Sequence, residues 1–317
     1  MGLSLRDLAE KIGLSHASIK KYEDGLLKPS DDVLDVIASV LQVGISYFAP
    51  HPAPTLSLGQ IEFRMKGELP TRALEAIRND VLERLERRLE LESLFPQPPV
   101  SAFQRMDVTG VRSLDDVESL ADRVRQAWNL GGGPIWGLPD VLEENGIHVF
   151  PVEVGREHHF DGMTASCGEL PLVVIGKGFP GDRQRFTLAH ELGHQLLQSA
   201  KLKKAITLEE ACNRFAGAFL LPKVVVLRDI GNFRTNLDIQ ELTLLKMQYG
   251  ISMQAILHRC HELGVITGTT YSELHSMFKQ NGWDKVEPGE AVLVEQGRML
   301  ERLEYRAKAE GFMGGQQ

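Results

Sequence analysis

His190-Glu191-Leu192-Gly193-His194 is the stretch of sequence that decides the fold of the central domain. It lies in a run, residues 181–197, in which apolar residues recur at helical spacing. Residues four apart on a helix lie one above the other, so the two imidazoles share a face. Glu191 follows His190 directly, so its side chain points to a neighbouring part of the helix surface. From there it can reach a water on a metal without being a ligand. We therefore predict that His190 and His194 bind Zn²⁺ and that Glu191 is catalytic.

The alternative for this stretch is a pair of histidines on an exposed helix face. The residues around the pair are apolar, namely Phe186, Ala189, Leu192, Leu196 and Leu197. A solvated face is rarely apolar in this way, so the metal site is the favoured interpretation.

A catalytic zinc needs a third protein ligand and one open position. The next helical run begins at Thr207, a plausible cap, and contains Glu209 and Asn213 four residues apart. Glu209 is the candidate third ligand, and Asn213 could accept the spare N–H of a ligand histidine. Glu210 competes with Glu209 on spacing alone, and either acid could simply favour the positive end of the helix dipole.

Two segments, Phe179–His194 and Glu209–Pro222, closely resemble the ImmA/IrrE metallopeptidases that accompany bacterial and phage regulators. In that family the third-ligand glutamate precedes an Asn or Asp by four residues, which selects Glu209 over Glu210. The resemblance implies a zincin-like metallopeptidase domain. It also implies that the substrate is a repressor or other regulatory protein, cut to relieve repression.

Length and composition place the chain among ordinary globular proteins. Its 317 residues predict two or three domains, and 43% are hydrophobic and 25% charged. We find no apolar run of about 18 residues and no signal-peptide core, so we expect no membrane segment. Three cysteines without a CxxC pair suit a reducing, cytoplasmic location. The net charge of −8 requires any DNA contact to come from a local surface.

The N-terminal segment has the pattern of a helix-turn-helix. Ser4 can cap a first helix, Gly13 allows the left-handed turn that ends it, and Ser15 can cap a second helix. The second helix would present residues suited to base edges and phosphates, which we predict to bind operator DNA: His16, Ala17, Ser18, Lys20 and Lys21.

Residues 3–48, including Lys28-Pro29-Ser30, resemble the Xre (phage-repressor-like) helix-turn-helix family. That family has an additional helix before the first one here, so we expect either a domain that lacks it or a start codon further upstream. The alternative is a small helical packing or dimerisation module. Residues 1–50 carry one Arg and four Lys against five Asp and two Glu, which is acidic for a DNA-binding surface.

Between these two regions, a linker is predicted at the proline-rich run His51-Pro52-Ala53-Pro54. A long amphipathic helix is predicted from Pro70 to Phe95. Further on, Ile147–Phe150 and Leu172–Ile175 predict strands of a small sheet beside the zinc helix, whose edge could pair with a peptide. His158 and His159 between them could stabilise the transition state by donating to the oxyanion, although a polar loop is the alternative.

The C-terminal part predicts helices at Ile239–Tyr249, Met253–Leu263 and Leu300–Lys308. His258 and His261 in the second of these are too few for a metal site. Four regions are therefore expected: a helix-turn-helix domain at 1–50, a helical linker region at 51–110, a zinc peptidase domain at 111–265 and a helical extension at 266–317.

The predicted fold class is mainly α with a small β-sheet (α+β), in which an N-terminal helix-turn-helix bundle precedes the zincin-like domain. The chain is predicted to be a DNA-binding transcriptional regulator that carries a zinc-dependent endopeptidase. Its helix-turn-helix domain also predicts a homodimer. The alternative is a non-enzymatic repressor or antitoxin of a toxin–antitoxin pair, in which the zinc fold acts as a sensor or a protein-binding module.

Overall fold

The computed structural model describes residues 4–24, 26–41, 61–64, 69–97, 99–154 and 160–312, and for 61–64 it describes the backbone. The chain divides into two compact units, one formed by Met1–Ser57 with Leu69–Glu86 and the other by Leu58–Glu68 with Arg87–Gln317. Helices predominate in the described residues and one small sheet accompanies them, as the sequence predicted. None of the described helices is both long enough and apolar enough to cross a membrane.

The first unit begins with three short helices, α1 (Leu5–Ile12), α2 (His16–Glu23) and α3 (Asp31–Leu41). Ser4 and Asp7 form a reciprocal capping box at the start of α1, and Gly13 ends that helix at φ +72°. Ser15 caps α2 through the backbone N–H of Ser18. Helix α1 packs against both α2 and α3 around buried apolar residues, Ala9, Ile19, Ile37 and Ala38. The helix-turn-helix predicted from the sequence is thus present.

Helix α4 (Thr71–Ser93) runs through the division between the units at Glu86 and Arg87. The second unit continues with α5 (Leu114–Ala127), α6 (Leu138–Glu144), β2 (His148–Val152), β3 (Gly162–Cys167) and β4 (Leu170–Gly176). The central helices follow: α7 (Gly181–Leu197), α8 (Leu208–Leu220) and α9 (Lys223–Asp229). The last four are α10 (Ile239–Tyr249), α11 (Met253–Glu262), α12 (Gly268–Gln280) and α13 (Met299–Ala309).

The sheet has the strand order β1-β3-β4-β2, where β1 is Ile61–Arg64. Strands β1 and β4 both pair antiparallel with β3, and β2 pairs parallel with β4. Strand β1 comes from the stretch predicted as a helical linker, and the sequence analysis identified neither β1 nor β3. Both lack a long β-branched run, the usual sign of a strand.

Helix α7 is fixed to the sheet on one side and to α8 on the other. The amide of Gln195 donates to the backbone oxygens of Ala165 on β3 and Leu172 on β4, at 3.1 Å each. Helix α8 packs along α7, and α5 packs on α8, over one large apolar core. This layering holds α7 between strand and helix, so its histidines have a rigid support.

The C-terminal residues are built into the same unit. The carboxylate of Glu295 accepts from the backbone N–H groups of Gly137 and Leu138 at the start of α6 and pairs with the buried Arg185 of α7. Gly181 begins α7 so close to this segment that a Cβ there would lie 2.2 Å from the oxygen of Leu293. The segment therefore fixes where α7 begins.

Candidate metal centre

The two histidines of α7 face each other at one turn's separation. Their Nε2 atoms lie 3.0 Å apart, and both side chains are half-buried. Two imidazole nitrogens this close can share at most one proton when both rings are neutral, so at least one lone pair points into the space between them. This geometry follows from the i, i+4 spacing read in the sequence.

Helix α8 brings a carboxylate to the same point. Thr207 caps this helix through the N–H of Glu210, which leaves Glu209 in the first turn. The two carboxylate oxygens of Glu209 lie 3.1 Å from Nε2 of His194 and 3.4 Å from Nε2 of His190. Glu210, its competitor on spacing, is exposed. The structure thus brings two nitrogen donors and one oxygen donor together.

Asn213, one turn further along α8, contacts the far side of the first histidine. Its Oδ1 lies 2.8 Å from Nδ1 of His190. Since the amide oxygen can only accept, Nδ1 carries the proton and Nε2 of the neutral ring carries the lone pair. Asn213 therefore holds His190 in the tautomer that a metal requires.

Glu191 lies beside the donors but has a different environment. It is 7% exposed, and the hydroxyl of Thr164 on β3 donates to its Oε2 at 2.6 Å. Burial raises the pKa of its carboxyl to about 7, and the negative charge of Glu209 adds to this increase, while the Thr164 hydrogen bond opposes it. A carboxyl with a pKa near neutrality can both accept and return a proton.

These groups line a cleft of about 530 Å³. One wall is the start of β3, from Gly162 to Thr164, and the others come from α7 and the first turns of α8. Among the residues that the structure describes, His190, Glu191 and His194 are the cluster of donor side chains close enough together to hold a metal ion, within 4.8 Å of one another. Glu191 belongs to that cluster by distance, but Thr164 engages its carboxylate, whereas Glu209 faces both imidazoles.

Helices α7 and α8 approach each other most closely at Gly193. A Cβ at this position would lie 3.2 Å from Cα and 3.3 Å from Cβ of Cys212. The absence of a side chain at residue 193 therefore allows the two helices to come together.

The comparisons with known proteins agree with both halves of this architecture. Residues 142–261 match the family model described as IrrE N-terminal-like domain, and residues 1–48 match the model described as Helix-turn-helix. The chain carries a helix-turn-helix domain followed by an IrrE-like domain. The resemblance inferred from the sequence is thus confirmed.

The comparisons with curated proteins and with solved structures give no further support. The curated proteins give no match. Among solved structures, a Mycobacterium tuberculosis transcriptional regulator is 17% identical, with a TM-score of 0.33, over 46% of this chain. The alignment spans 46% of that regulator, less than half of its length.

In the helix-turn-helix domain, the predicted DNA-binding residues lie on α2. Four of them are exposed: His16, Ala17, Lys20 and Lys21. Ser18 is half-buried, and its hydroxyl lies 2.8 Å from that of Ser15. Ile19 is buried, so it lies on the inward face of α2.

In the IrrE-like domain, His158 and His159 lie outside the described residues, so their predicted role stays a prediction. The role of Thr164 was not predicted from the sequence. No motif marks it, because its partner Glu191 is 27 residues away and only the folding of β3 onto α7 brings them together.

Proposed function

We propose that the IrrE-like domain is a zinc-dependent endopeptidase and that the chain is a DNA-binding transcriptional regulator. The observation that carries the proposal is the convergence of Nε2 of His190, Nε2 of His194 and the carboxylate of Glu209 at one end of the cleft, within 3.4 Å of one another. Glu191, the proposed catalytic residue, lies in the same cleft.

The donor set fits zinc. Two imidazole nitrogens and one carboxylate are a ligand combination of catalytic zinc sites, which leave further coordination for water and substrate. The fixed tautomer of His190 supports this assignment, because it aims the lone pair of Nε2 toward His194 and Glu209. We infer that His190, His194 and Glu209 hold the ion and that Asn213 orients His190.

Bound zinc would supply Lewis acidity toward a peptide carbonyl and lower the pKa of water. The chain's own residues would handle the proton. Glu191 takes a proton from the attacking water on its carboxylate and passes it to the leaving amine nitrogen. Thr164 holds that carboxylate toward the cleft through its 2.6 Å hydrogen bond. Bound zinc would also favour the ionised form of the Glu191 carboxyl, which is the form that accepts a proton.

The substrate and the DNA partner are proposed from the family resemblance and from α2. We propose that the substrate is a repressor or other regulatory protein, and that α2 contacts operator DNA through His16, Ala17, Ser18, Lys20 and Lys21. Exposed lysines on α2 support phosphate contact. We also propose that the chain is cytoplasmic and forms a homodimer. Its domains are proposed to divide at residues 50, 110 and 265.

The experiment that tests the enzyme compares the wild-type chain with Glu191→Gln. We expect the wild type to bind about one zinc per chain and to cut a partner repressor. Glu191→Gln should retain zinc and DNA binding and lose cleavage by at least about a hundredfold, since general-base catalysis contributes that much or more. Equal transcriptional regulation by both chains in cells would contradict the enzyme and favour a non-enzymatic repressor or antitoxin.

A further inference from the structure

Strand β1 covers one edge of the sheet. It lies at the end of the strand order and, among the described strands, pairs with β3 alone. The register runs from Ile61 opposite Cys167 to Arg64 opposite Thr164, antiparallel to β3. This edge of β3 is therefore occupied over four residues by a segment of the same chain.

The covered edge belongs to the strand that forms a wall of the cleft. Among the described residues, β3 is the strand that lines it, through Gly162, Met163 and Thr164. The register of β1 ends opposite Thr164, the residue whose hydroxyl holds Glu191. Because β3 begins at Gly162, β1 runs along this edge toward the cleft. An extended peptide that reached Glu191 by adding a strand to β3 would use the same edge and could run in the same direction.

Strand β1 is also the strand least integrated into the sheet. It has four residues and one neighbour in the part of the sheet that the structure describes, whereas β4 pairs on both sides. In sequence, its segment Leu58–Glu68 is flanked on both sides by residues of the other compact unit, 1–57 and 69–86. Short edge strands with few contacts open at low free-energy cost compared with central strands.

We propose that β1 is an internal occupant of the peptide-binding edge of β3, and that a protein substrate must displace it to reach Glu191. The ligand of this edge is an extended polypeptide segment, bound by backbone hydrogen bonds. The proposal rests on the proposed function, because the displacement of β1 would regulate the proposed peptidase. The competing explanation is that β1 only shields a sheet edge from aggregation and never leaves it.

The test uses the full-length chain and a fluorescent peptide with the chain's own sequence Leu58–Glu68, followed by fluorescence anisotropy. A chelator is present, so the binding result is independent of hydrolysis. In the main variant, Gly-Ser-Gly-Ser replaces Ile61–Arg64, which keeps the length of the chain and removes the strand. A tethered strand competes at an effective concentration of about 1 mM, so the wild type should bind the peptide at least about tenfold more weakly than the variant.

A matched pair of variants, Glu62→Pro and Phe63→Pro, checks the mechanism. Alternate residues of an edge strand point their N–H groups at the neighbouring strand, so only one proline of the pair removes a pairing donor. One variant should bind the peptide like the Gly-Ser chain and the other like the wild type. Equal binding by all four chains would overturn the proposal, as would loss of the folded state, by circular dichroism, in the Gly-Ser chain and both proline variants.

A parallel assay with zinc and an unstructured protein substrate separates this proposal from the proposed function. We expect the Gly-Ser chain to cut at least about tenfold faster than the wild type, the same factor as in binding. Tighter peptide binding without any hydrolysis would support edge occupancy and contradict the peptidase. Hydrolysis at one rate by all chains, with unchanged binding, would support the peptidase and overturn edge occupancy.

Discussion

Two groups of histidines lie in the IrrE-like domain, and they differ in what surrounds them. His190 and His194, four residues apart on α7, direct their Nε2 atoms at each other and at the carboxylate of Glu209. His258 and His261, three apart on α11, instead place their rings 6.1 and 4.7 Å from the ring of Tyr271. The ring of His275 on α12 lies 5.9 Å from the ring of the same tyrosine.

The carboxylates near the two groups differ as well. Glu262 lies 3.5 Å from His258, but it also pairs with two buried arginines, Arg214 and Arg259. Its charge is thus already neutralised, whereas Glu209 in the cleft pairs with both histidines. The comparison teaches that histidine spacing alone does not make a metal site. The nitrogen atoms must also converge, and a carboxylate must face both of them.

The largest expected effect is the loss of zinc when a proposed ligand is removed. His190→Ala or Glu209→Ala should lower zinc affinity by more than about a hundredfold, because changes behind the ligands alone cost up to that much. His261→Ala, the matched change in the second group, should leave one zinc per chain. Metal analysis of the purified chains measures this, and equal zinc loss in all three would abolish the distinction between the groups.

A smaller effect is expected from the residue behind the first histidine. Asn213→Ala removes the acceptor of His190 Nδ1 and should lower zinc affinity about 10–100-fold. Asn213→Asp keeps an acceptor oxygen and serves as the control. Competition with a zinc chelator measures both affinities. Unchanged affinity in Asn213→Ala would show that the helix backbone alone orients His190.

The second group should respond in stability instead. Tyr271→Ala removes a half-buried ring that three histidines contact, and we expect the free energy of unfolding to fall by about 2 kcal/mol. Tyr271→Phe should cost much less, since the ring remains. Urea unfolding gives these values, with zinc content measured alongside. A drop in zinc content would mean that the two groups are coupled.

The smallest effect is expected at His258, whose side chain is 56% exposed. His258→Ala should change the free energy of unfolding by no more than about 0.5 kcal/mol, because exposed side chains contribute little and Glu262 keeps its two arginine partners. The same urea titration checks this. A loss above about 1 kcal/mol would indicate that the histidine supports Glu262 and its arginine partners.

The sequence was sufficient for the parts of the site that depend on helical periodicity. The spacing of His190 and His194 predicted their shared face, and four-residue spacing on α8 placed Glu209 and Asn213 together. The family resemblance then selected Glu209 over Glu210. The two shared faces needed only local geometry, which helix formation determines within one or two turns.

The contacts made across the fold could not be read in this way. The hydrogen bonds from Thr164 to Glu191 and from Gln195 to the sheet depend on how β3 and β4 pack on α7. Glu295 reaches Arg185 from 110 residues away. Strand β3 was missed because Gly162, Ala165 and Ser166 carry no strand signal, and its assignment depends on its neighbours on both sides.

The close approach of α7 and α8 at Gly193 has a consequence for the metal preference of the proposed site. His194 and Glu209 lie on different helices, so the gap between the helices sets the distance between an imidazole and a carboxylate donor. An alanine at 193 would meet Cys212 at 3.2 Å and require the helices to move apart by a few tenths of an ångström. Since donor–donor distance selects ions by radius, a wider gap would favour larger divalent ions over zinc without any change of ligand.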